Sequence, residues 1–398
     1  MKSVSFLFIP LLAVSLFAAS GAKSAPRPQH SSTRNSTTSY VITNDDPMGK
    51  GGTVSATFFP IGSGGILGNS TRVSVGGSGE GGGYFTASRI SLLQGTSDGC
   101  VFASIAASAE IGAIDINAMQ DVGDVTGSST DAGGVNGIGL ANNGTYLYAN
   151  FTGSNTIATF AIQSGCGLNF LGDITAIGMQ KGNVKGMAVH GNVMVVAFGD
   201  GSIESFNLSA GIPVSNGDLQ NASGFSTDRF PIGVDITSDG HYAIFGDEST
   251  TTTVEVSNMS TGKLTKTVLY NMTTAGNSTN VYLSPDETLL YIGNTGTGQL
   301  TAAFFNATNG KITPGCVSPT LKNFDNTWIF LGSVVTESTS GTGSVVYMAE
   351  YGSTSGTAIV DVTSTGSTCT LTEAKGSPVQ DPNSTALLSI GVYPPRQF

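Results

Sequence analysis

The chain has 398 residues, of which 55 are glycine, 39% are apolar and 11% are charged, with a net charge of −11 and a pI near 4.6. That much apolar material can fill a core, so charge-driven disorder is excluded, and no basic stripe exists that would bind nucleic acid or an anionic membrane surface. Abundant glycine with scattered β-branched residues points to an all-β chain of short strands and tight turns.

Lys2 precedes an apolar run, "VSFLFIPLLAVSLFAA", and "SGA" then supplies small residues for cleavage after Ala22. Residues 1–22 read as a signal peptide rather than a membrane anchor, because Ser5, Pro10 and Ser15 interrupt the run. Residues 23–38, "KSAPRPQHSSTRNSTT", form a polar linker, and residues 39–398 form the folded domain. No later segment reaches the roughly 18 apolar residues of a membrane span, and the end, "GVYPPRQF", lacks a GPI-type tail. A freely secreted monomer is expected, extracellular or cell-wall associated.

Asparagine and cysteine use fit export. Asn35, Asn69, Asn143, Asn150, Asn207, Asn221, Asn258, Asn271, Asn277, Asn306 and Asn383 each head an N-x-S/T sequon and are candidate glycosylation sites. Cys100, Cys166, Cys316 and Cys369 are even in number, which suggests two disulfides; their spacing fits neither a zinc ribbon nor a redox CxxC.

The organisation comes from a repeat. "NVYLSPDETLLYIGNTG" (residues 280–296) reads as apolar run, turn, apolar run, turn: an antiparallel hairpin. It recurs in "GIGLANNGTYLYANFTGSNTIATFAI" from Gly137, "GMAVHGNVMVVAFGDGSIESFNL" from Gly186 and "GVDITSDGHYAIFGDESTTTTVEV" from Gly233. Aligning the second strands places anchors at Tyr40, Phe102, Tyr148, Val196, Ala243, Tyr291 and Tyr347, separated by 62, 46, 48, 47, 48 and 56 positions. Seven units of four antiparallel strands predict an all-β seven-bladed β-propeller. The first unit, "SYVITND", starts on its second strand, while residues 386–394, "ALLSIGVYP", read as an orphan inner strand. The C-terminal strand is therefore expected to complete blade one and remove the open edges.

This geometry sorts residues between two faces. On the front face inner strands begin and second strands end; on the back face lie the inner-to-second and third-to-outer turns. Asn207, Asn258 and Asn306 fall at one kind of back-face turn in successive blades. Cys166, Cys316 and Cys369 are read near that turn and Cys100 at the start of a second strand. Blade adjacency suggests Cys100–Cys166 and Cys316–Cys369, although four cysteines allow three pairings.

"VYLSPDETLLYIGNTG", the closing inner strand and the seven-unit spacing resemble the lactonase-type propellers, a group that includes 6-phosphogluconolactonase and the fungal 3-carboxy-cis,cis-muconate cyclases. Secreted, glycosylated 3-carboxymuconate cyclase-like proteins are the nearest match, from about Tyr40 to the end. The resemblance implies acid-base residues at the front of the channel, and the chain departs from that pattern. No histidine stands at Val135-Asn136-Gly137; Pro231-Ile232-Gly233 keeps only the proline of Pro-Arg-His. Asn280 replaces the glutamate of Ala-Glu-Ile, and Gly293-Asn294-Thr295 replaces Ser-Asn-Arg. Glu248, after Asp247, is the one family carboxylate that it retains.

The residues themselves agree. His30 lies in the linker, and His190 and His241 fall at back-face turns, too far from the front to act as general bases there. Second-strand ends bring Asp45, Asp46, Asp200, Asp247, Glu248 and Glu350 toward the mouth, with Asn136, Asn280 and Asn294; the cations there are Lys185, Arg229 and Arg89. Such an acidic mouth opposes a strongly anionic substrate. Asn44-Asp45-Asp46 contains no calcium-loop motif, there is no G-x-S-x-G elbow, and "GGSGEGGG" (residues 76–83) lacks the lysine of a phosphate loop. No metal and no cofactor is expected.

Two readings follow. One is a binding or adhesion-type surface glycoprotein that keeps the scaffold without the chemistry, its extracellular ligand or partner unidentified. The other is a lactonase or lactonising cyclase using Glu248 with Arg229 or Lys185. A sequon at Asn150, read at the mouth, would crowd the channel. A carbohydrate-binding propeller would need aromatic platforms such as Tyr351 and Phe151, which read as core, as does the lone Trp328.

Overall fold

The computed structural model describes residues 38–45, 47, 52–79, 86–95, 99–133, 137–176, 178, 183–220, 231–248, 252–272, 278–322, 329–335, 343–350, 356–380 and 387–396. At 248, 252, 253, 329–335, 343 and 388 only the backbone is described. The leader and nearly all of the linker, with Asn35, Asp46, Asn136, Asn221, Arg229, Asn277, Trp328, Tyr351 and Asn383, lie outside the described residues.

Residues 38–398 form one compact unit of seven antiparallel sheets. Blade 1 pairs Leu387–Tyr393 with Tyr40–Asp45, Val54–Pro60 and Thr71–Gly76, so the C-terminal strand supplies the inner strand of the first blade, as expected. Blade 2 runs Ile90–Gln94, Gly99–Ile105, Glu110–Asp115 and Gln120–Thr126; blade 3 runs Ile138–Asn142, Tyr146–Phe151, Thr156–Ile162 and Leu168–Thr175. Blade 4 is Val184–His190, Val193–Phe198, Ile203–Asn207 and Val214–Ser215, and blade 5 is Pro231–Ile236, Tyr242–Glu248, Thr252–Ser260 and Lys263–Asn271. Blade 6 is Ser278–Leu283, Leu289–Asn294, Gln299–Asn306 and Lys311–Val317. Blade 7 is Ile329–Val335, Gly343–Glu350, Gly356–Thr365 and Thr368–Glu373, with Val379–Gln380 also pairing its third strand.

The strand sequences explain these positions. Second strands such as Gly99–Ile105 and Leu289–Asn294 are buried along their whole length, because a blade covers each side. They therefore read as continuous apolar runs. Outer strands such as Leu168–Thr175 lie at the rim and alternate toward solvent. The core is divided among the blade interfaces. Tyr148 and Ile157 of blade 3 pack on Met187, Val196 and Phe206 of blade 4, and Val41 and Phe59 of blade 1 pack on Tyr347 and Ile359 of blade 7, closing the ring. Each such buried side chain contributes about 1.5–3 kcal/mol.

Serine, threonine and aspartate make the back-face turns. In blade 6 the Ser284 hydroxyl donates to Asp286 (2.6 Å) and accepts from the Leu289 amide (2.9 Å). In blade 5 Thr237 repeats both bonds, to Asp239 (2.7 Å) and from Tyr242 (3.0 Å). Near the axis the inner strands approach backbone to backbone. A Cβ at Gly186 would fall 1.8 Å from the Ile232 carbonyl oxygen, and one at Gly233 2.6 Å from the Asn280 Cα, so the repeating glycine is a packing requirement.

Rim fastenings of two kinds join the blades. Tyr148, Tyr242 and Tyr347 donate their hydroxyls to carbonyls of the next blade's third-to-outer turn, at Gly211 (3.1 Å), Thr308 (3.3 Å) and Gly65 (2.7 Å). Disulfides Cys100–Cys166 and Cys316–Cys369 join blade 2 to 3 and blade 6 to 7. Both are the pairs that blade adjacency suggests, although Cys316 lies well along its outer strand rather than near the turn.

Candidate functional site: the central channel and its two ends

Toward the front face, the inner strands carry an irregularity that the repeat pattern does not reveal. The inner-to-second register shifts at Val184/Gly186 in blade 4, Pro231/Val234 in blade 5, Ser278/Asn280 in blade 6 and Leu331/Val334 in blade 7. Blade 1 shifts likewise, between Asn44 and Asp45 opposite Ser389 and Leu387. An extra residue re-aims a side chain out of the pleat, and in blade 4 that residue is Lys185.

Blades 2 and 3 lack the bulge, and another segment occupies their end of the channel. The Ser88 carbonyl accepts the Leu140 amide of blade 3 (2.8 Å), and the Ala87 amide donates to the Lys185 carbonyl of blade 4 (2.9 Å). Residues 86–88, belonging to blade 2, therefore cross in front of blade 3. Gly139 makes room: a Cβ there would meet the Thr86 methyl at 2.8 Å and the Ala87 oxygen at 3.0 Å. Arg89 follows this segment and is the largest fully buried side chain among the described residues, at 0% exposure.

Charge is gathered at this end. Lys185 (6%), Asp45 (0%), Asp247 (0%) and Glu350 (3%) join Arg89 out of solvent at inner-strand starts and second-strand ends. Lone buried charges are strongly disfavoured, so a set of this size at one end of a channel marks a candidate site. Its members differ in placement. Asp45, read from the sequence as facing the mouth, is turned into blade 1, where Arg72 of the outer strand binds it at 2.6 Å. Asn294 is likewise withdrawn, donating to Thr301 Oγ1 (2.8 Å) and the Gln299 carbonyl (3.2 Å) within its own blade. Asp200 accepts from Ser202 in a local turn. Asn280 does line the channel. Glu248 ends the blade 5 second strand at the front, described by backbone alone.

Asn150 differs most from its sequence reading. It is fully buried, donates Nδ2 to the Val184 carbonyl of blade 4 (3.2 Å) and accepts the Gly139 amide. Asn44 makes the same stitch from blade 1 to the Arg89 carbonyl of blade 2 (3.1 Å). A glycan on Asn150 would have to displace that bond, and in this fold the side chain serves packing between blades 3 and 4. Phe151 is core, as read.

Behind the front lies a chamber of about 390 Å³, bounded by Leu92, Asn142, Val189, Asn280 and Ser389 of the inner strands and closed by Pro395 and Arg396. The tail after Tyr393 leaves blade 1, crosses the back of the channel and inserts Arg396 between blades 5 and 6. There the guanidinium donates to Asp235 Oδ1 (2.8 Å) and to the carbonyls of Ile236 (2.8 Å) and Leu283 (3.2 Å), and lies 5.3 Å from the Tyr282 ring centroid. Asp235 Oδ2 also accepts the Leu283 amide (2.8 Å). Burial opposes the charge on Arg396, but Asp235, with Tyr282 and Glu287, outweighs it and holds the group protonated. Beside this strap, burial and then the Arg396 charge lower the His190 pKa, against the opposing pull of Asp239 and Glu287. His241, exposed, pairs with Asp239 at 2.8 Å. Sequence reading did not assign Arg396 any role; the one signal available was an arginine directly after a strand that closes a ring.

Among the described residues no group of three or more histidine, cysteine or acidic side chains is placed to hold a metal ion, and no helix is long and apolar enough to cross a membrane.

No family model matches the chain, and no curated protein matches it. Solved structures do. A provisionally named 6-phosphogluconolactonase of Bacteroides fragilis covers 91% of this chain and 99% of its own at a TM-score of 0.61 and 16% identity. A second, from Bacteroides uniformis, covers 88% and 99% at 0.60 and 15% identity. The periplasmic gluconolactonase PpgL of Pseudomonas aeruginosa covers 86% and 98% at 0.60 and 13% identity. At these identities the likeness defines the fold: a seven-bladed propeller of the shape seen in gluconolactonase-named proteins.

Proposed function

We propose that this protein is a lactonase-type propeller that takes a small carboxylated lactone, or the matching open-chain acid, at the front of its channel. The observation that carries this is the set of charged side chains buried at that one end. Lys185 and Arg89 supply positive charge for a carboxylate, and Asp247, Glu350 and Glu248 supply carboxylates for proton transfer. In hydrolysis the water oxygen bonds to the lactone carbonyl carbon, the ring C–O bond breaks, and the water's proton ends on the released hydroxyl. A carboxylate at a second-strand end would take that proton, and a buried cation would steady the oxyanion. The gluconolactonase-named neighbours favour this reading over a purely structural propeller, and 3-carboxymuconate enters as one candidate acid through the sequence resemblance.

A second reading, a non-catalytic binding or adhesion-type glycoprotein, draws on one specific observation. Both described histidines, His190 and His241, lie at back-face turns, away from the front of the channel. The expected export would place either function outside the cell. The deciding experiment is turnover of a lactone panel and of 3-carboxymuconate by the purified mature protein, beside Glu248→Gln. Turnover that falls at least about tenfold in the variant supports the enzyme; none in either protein overturns it in favour of binding.

A further inference from the structure

The interface between blades 6 and 7 is built differently from its counterparts. Between blades 3 and 4, 5 and 6, and 7 and 1, a tyrosine hydroxyl reaches the next blade's third-to-outer turn and closes the rim. Tyr291 of blade 6 stands where Tyr148 and Tyr347 stand in their second strands, two places after the position that Tyr242 holds in blade 5, and is fully buried. The third strand of blade 7, Gly356–Thr365, is ten residues long, so its turn lies farther out, at Gly366 and Ser367. Among the described residues no carbonyl receives the Tyr291 hydroxyl, which faces the Ser344 side chain instead. A cleft of about 810 Å³ remains, bounded by Tyr291, Phe304, Lys311, Ser344, Ser364 and, at its edge, Asn306.

Asn306 heads Asn306-Ala307-Thr308 and is exposed; its Oδ1 accepts the Thr308 amide (3.0 Å), and its Nδ2 donates to nothing among the described residues. Asn207 ends its third strand at the same turn in blade 4, whereas Asn258, expected at that turn, lies inside the third strand of blade 5, paired with Tyr242 and Lys266, because the hairpin runs on to Thr261 and Gly262; the interfaces beyond both are closed. Ser205 and Asn216 donate to the Gly262 carbonyl (2.8 and 3.2 Å), and Tyr242 donates to Thr308.

We infer that Asn306 carries an N-linked oligosaccharide whose first sugars lie in the cleft between blades 6 and 7, completing that rim. The transfer joins Nδ2 to the sugar C1, breaks the C1–O bond of a lipid-pyrophosphate-linked oligosaccharide, and releases the lipid pyrophosphate and the displaced amide proton. The cleft suits sugar: the partly exposed Phe304 ring meets a C–H face, while hydroxyls, Asp286 and Lys311 meet the sugar hydroxyls. Tethering at the edge raises the local concentration, so little intrinsic affinity is needed. The inference rests on export and is independent of catalysis.

The test is to secrete the full chain from a eukaryotic host, map site occupancy by glycopeptide mass spectrometry, and compare hydrogen exchange in wild type, Asn306→Gln and Asn207→Gln. Occupied Asn306, with protection lost in segments 284–291 and 362–367 in Asn306→Gln but not in Asn207→Gln, is the expected result. Unmodified Asn306 in the exported protein, or equal exchange in all three proteins, overturns the inference.

Discussion

Both ends of the channel bury charge, and they do so in different ways. At the back, Arg396 and Asp235 form a dry pair whose remaining valences go to Ile236, Leu283 and the Leu283 amide. Such a pair contributes little net energy relative to apolar substitutes, but breaking one side leaves the other exposed to the full desolvation penalty. It therefore acts as a fastener that spans the ring from blade 1 to blades 5 and 6. At the front, Arg89 and Lys185 share an end with Asp247 and Glu350 on bulged or crossing backbone, where a small ligand could complete the charge arrangement. The difference teaches that burial alone does not make a charged group part of a fastener: at the back the partners are met by hydrogen bonds from two blades, and at the front the charges sit on bulged or crossing backbone.

The largest expected effect falls on the back. Asp235→Ala should lower unfolding free energy by about 3–5 kcal/mol in urea titration, because the buried Arg396 guanidinium then loses the carboxylate it is hydrogen-bonded to. A loss below about 1 kcal/mol would show that the strap swings freely into water, and the contrast between the ends would break. Lys185→Met should cost more in function than in fold: turnover or ligand binding reduced at least about tenfold in protein that still unfolds cooperatively in the same titration. If Lys185→Met instead unfolds the protein without affecting ligand binding by the folded fraction, the front charges are structural too.

Smaller effects sharpen the picture at the rim. Tyr148→Phe should cost about 1 kcal/mol through loss of the bond to Gly211, whereas Tyr291→Phe, which gives up no carbonyl partner, should cost less in the same assay. The smallest effect is a pH dependence. His190 has a folded pKa below its ordinary 6.5, so the unfolded chain binds the extra proton. Its contribution is neutral above that value and destabilising as pH falls through it. Because Arg396 is one of the two causes, Arg396→Gln should flatten the stability profile below pH 6.5, as followed by melting temperature.

How much of this was legible in the sequence can be judged element by element. The hairpin from Asn280 to Gly296 declared itself because a strand buried on both sides must be apolar and a turn of Ser284 and Asp286 must supply its own hydrogen bonds. Ring closure by the last strand followed from counting strands. The disulfide partners were suggested by blade order and became definite only when the blades were set side by side. Asn150 shows the limit: the sequon is visible in one dimension, but its side chain is committed to Val184, thirty-four residues away.

By itself, then, the sequence determined the architecture: seven repeats, alternating burial, the closing strand and the turn positions of Asn207 and Asn306, though not of Asn258, because these depend on period and local turn chemistry. Tertiary structure alone decided which charges face which. The turning of Asp45 toward Arg72, the crossing of residues 86–88 before blade 3, the reach of Arg396 to Asp235 and the cleft left beside Tyr291 all depend on segments distant in sequence. Their meeting is set by the angle and spacing of packed blades, and no local pattern encodes those.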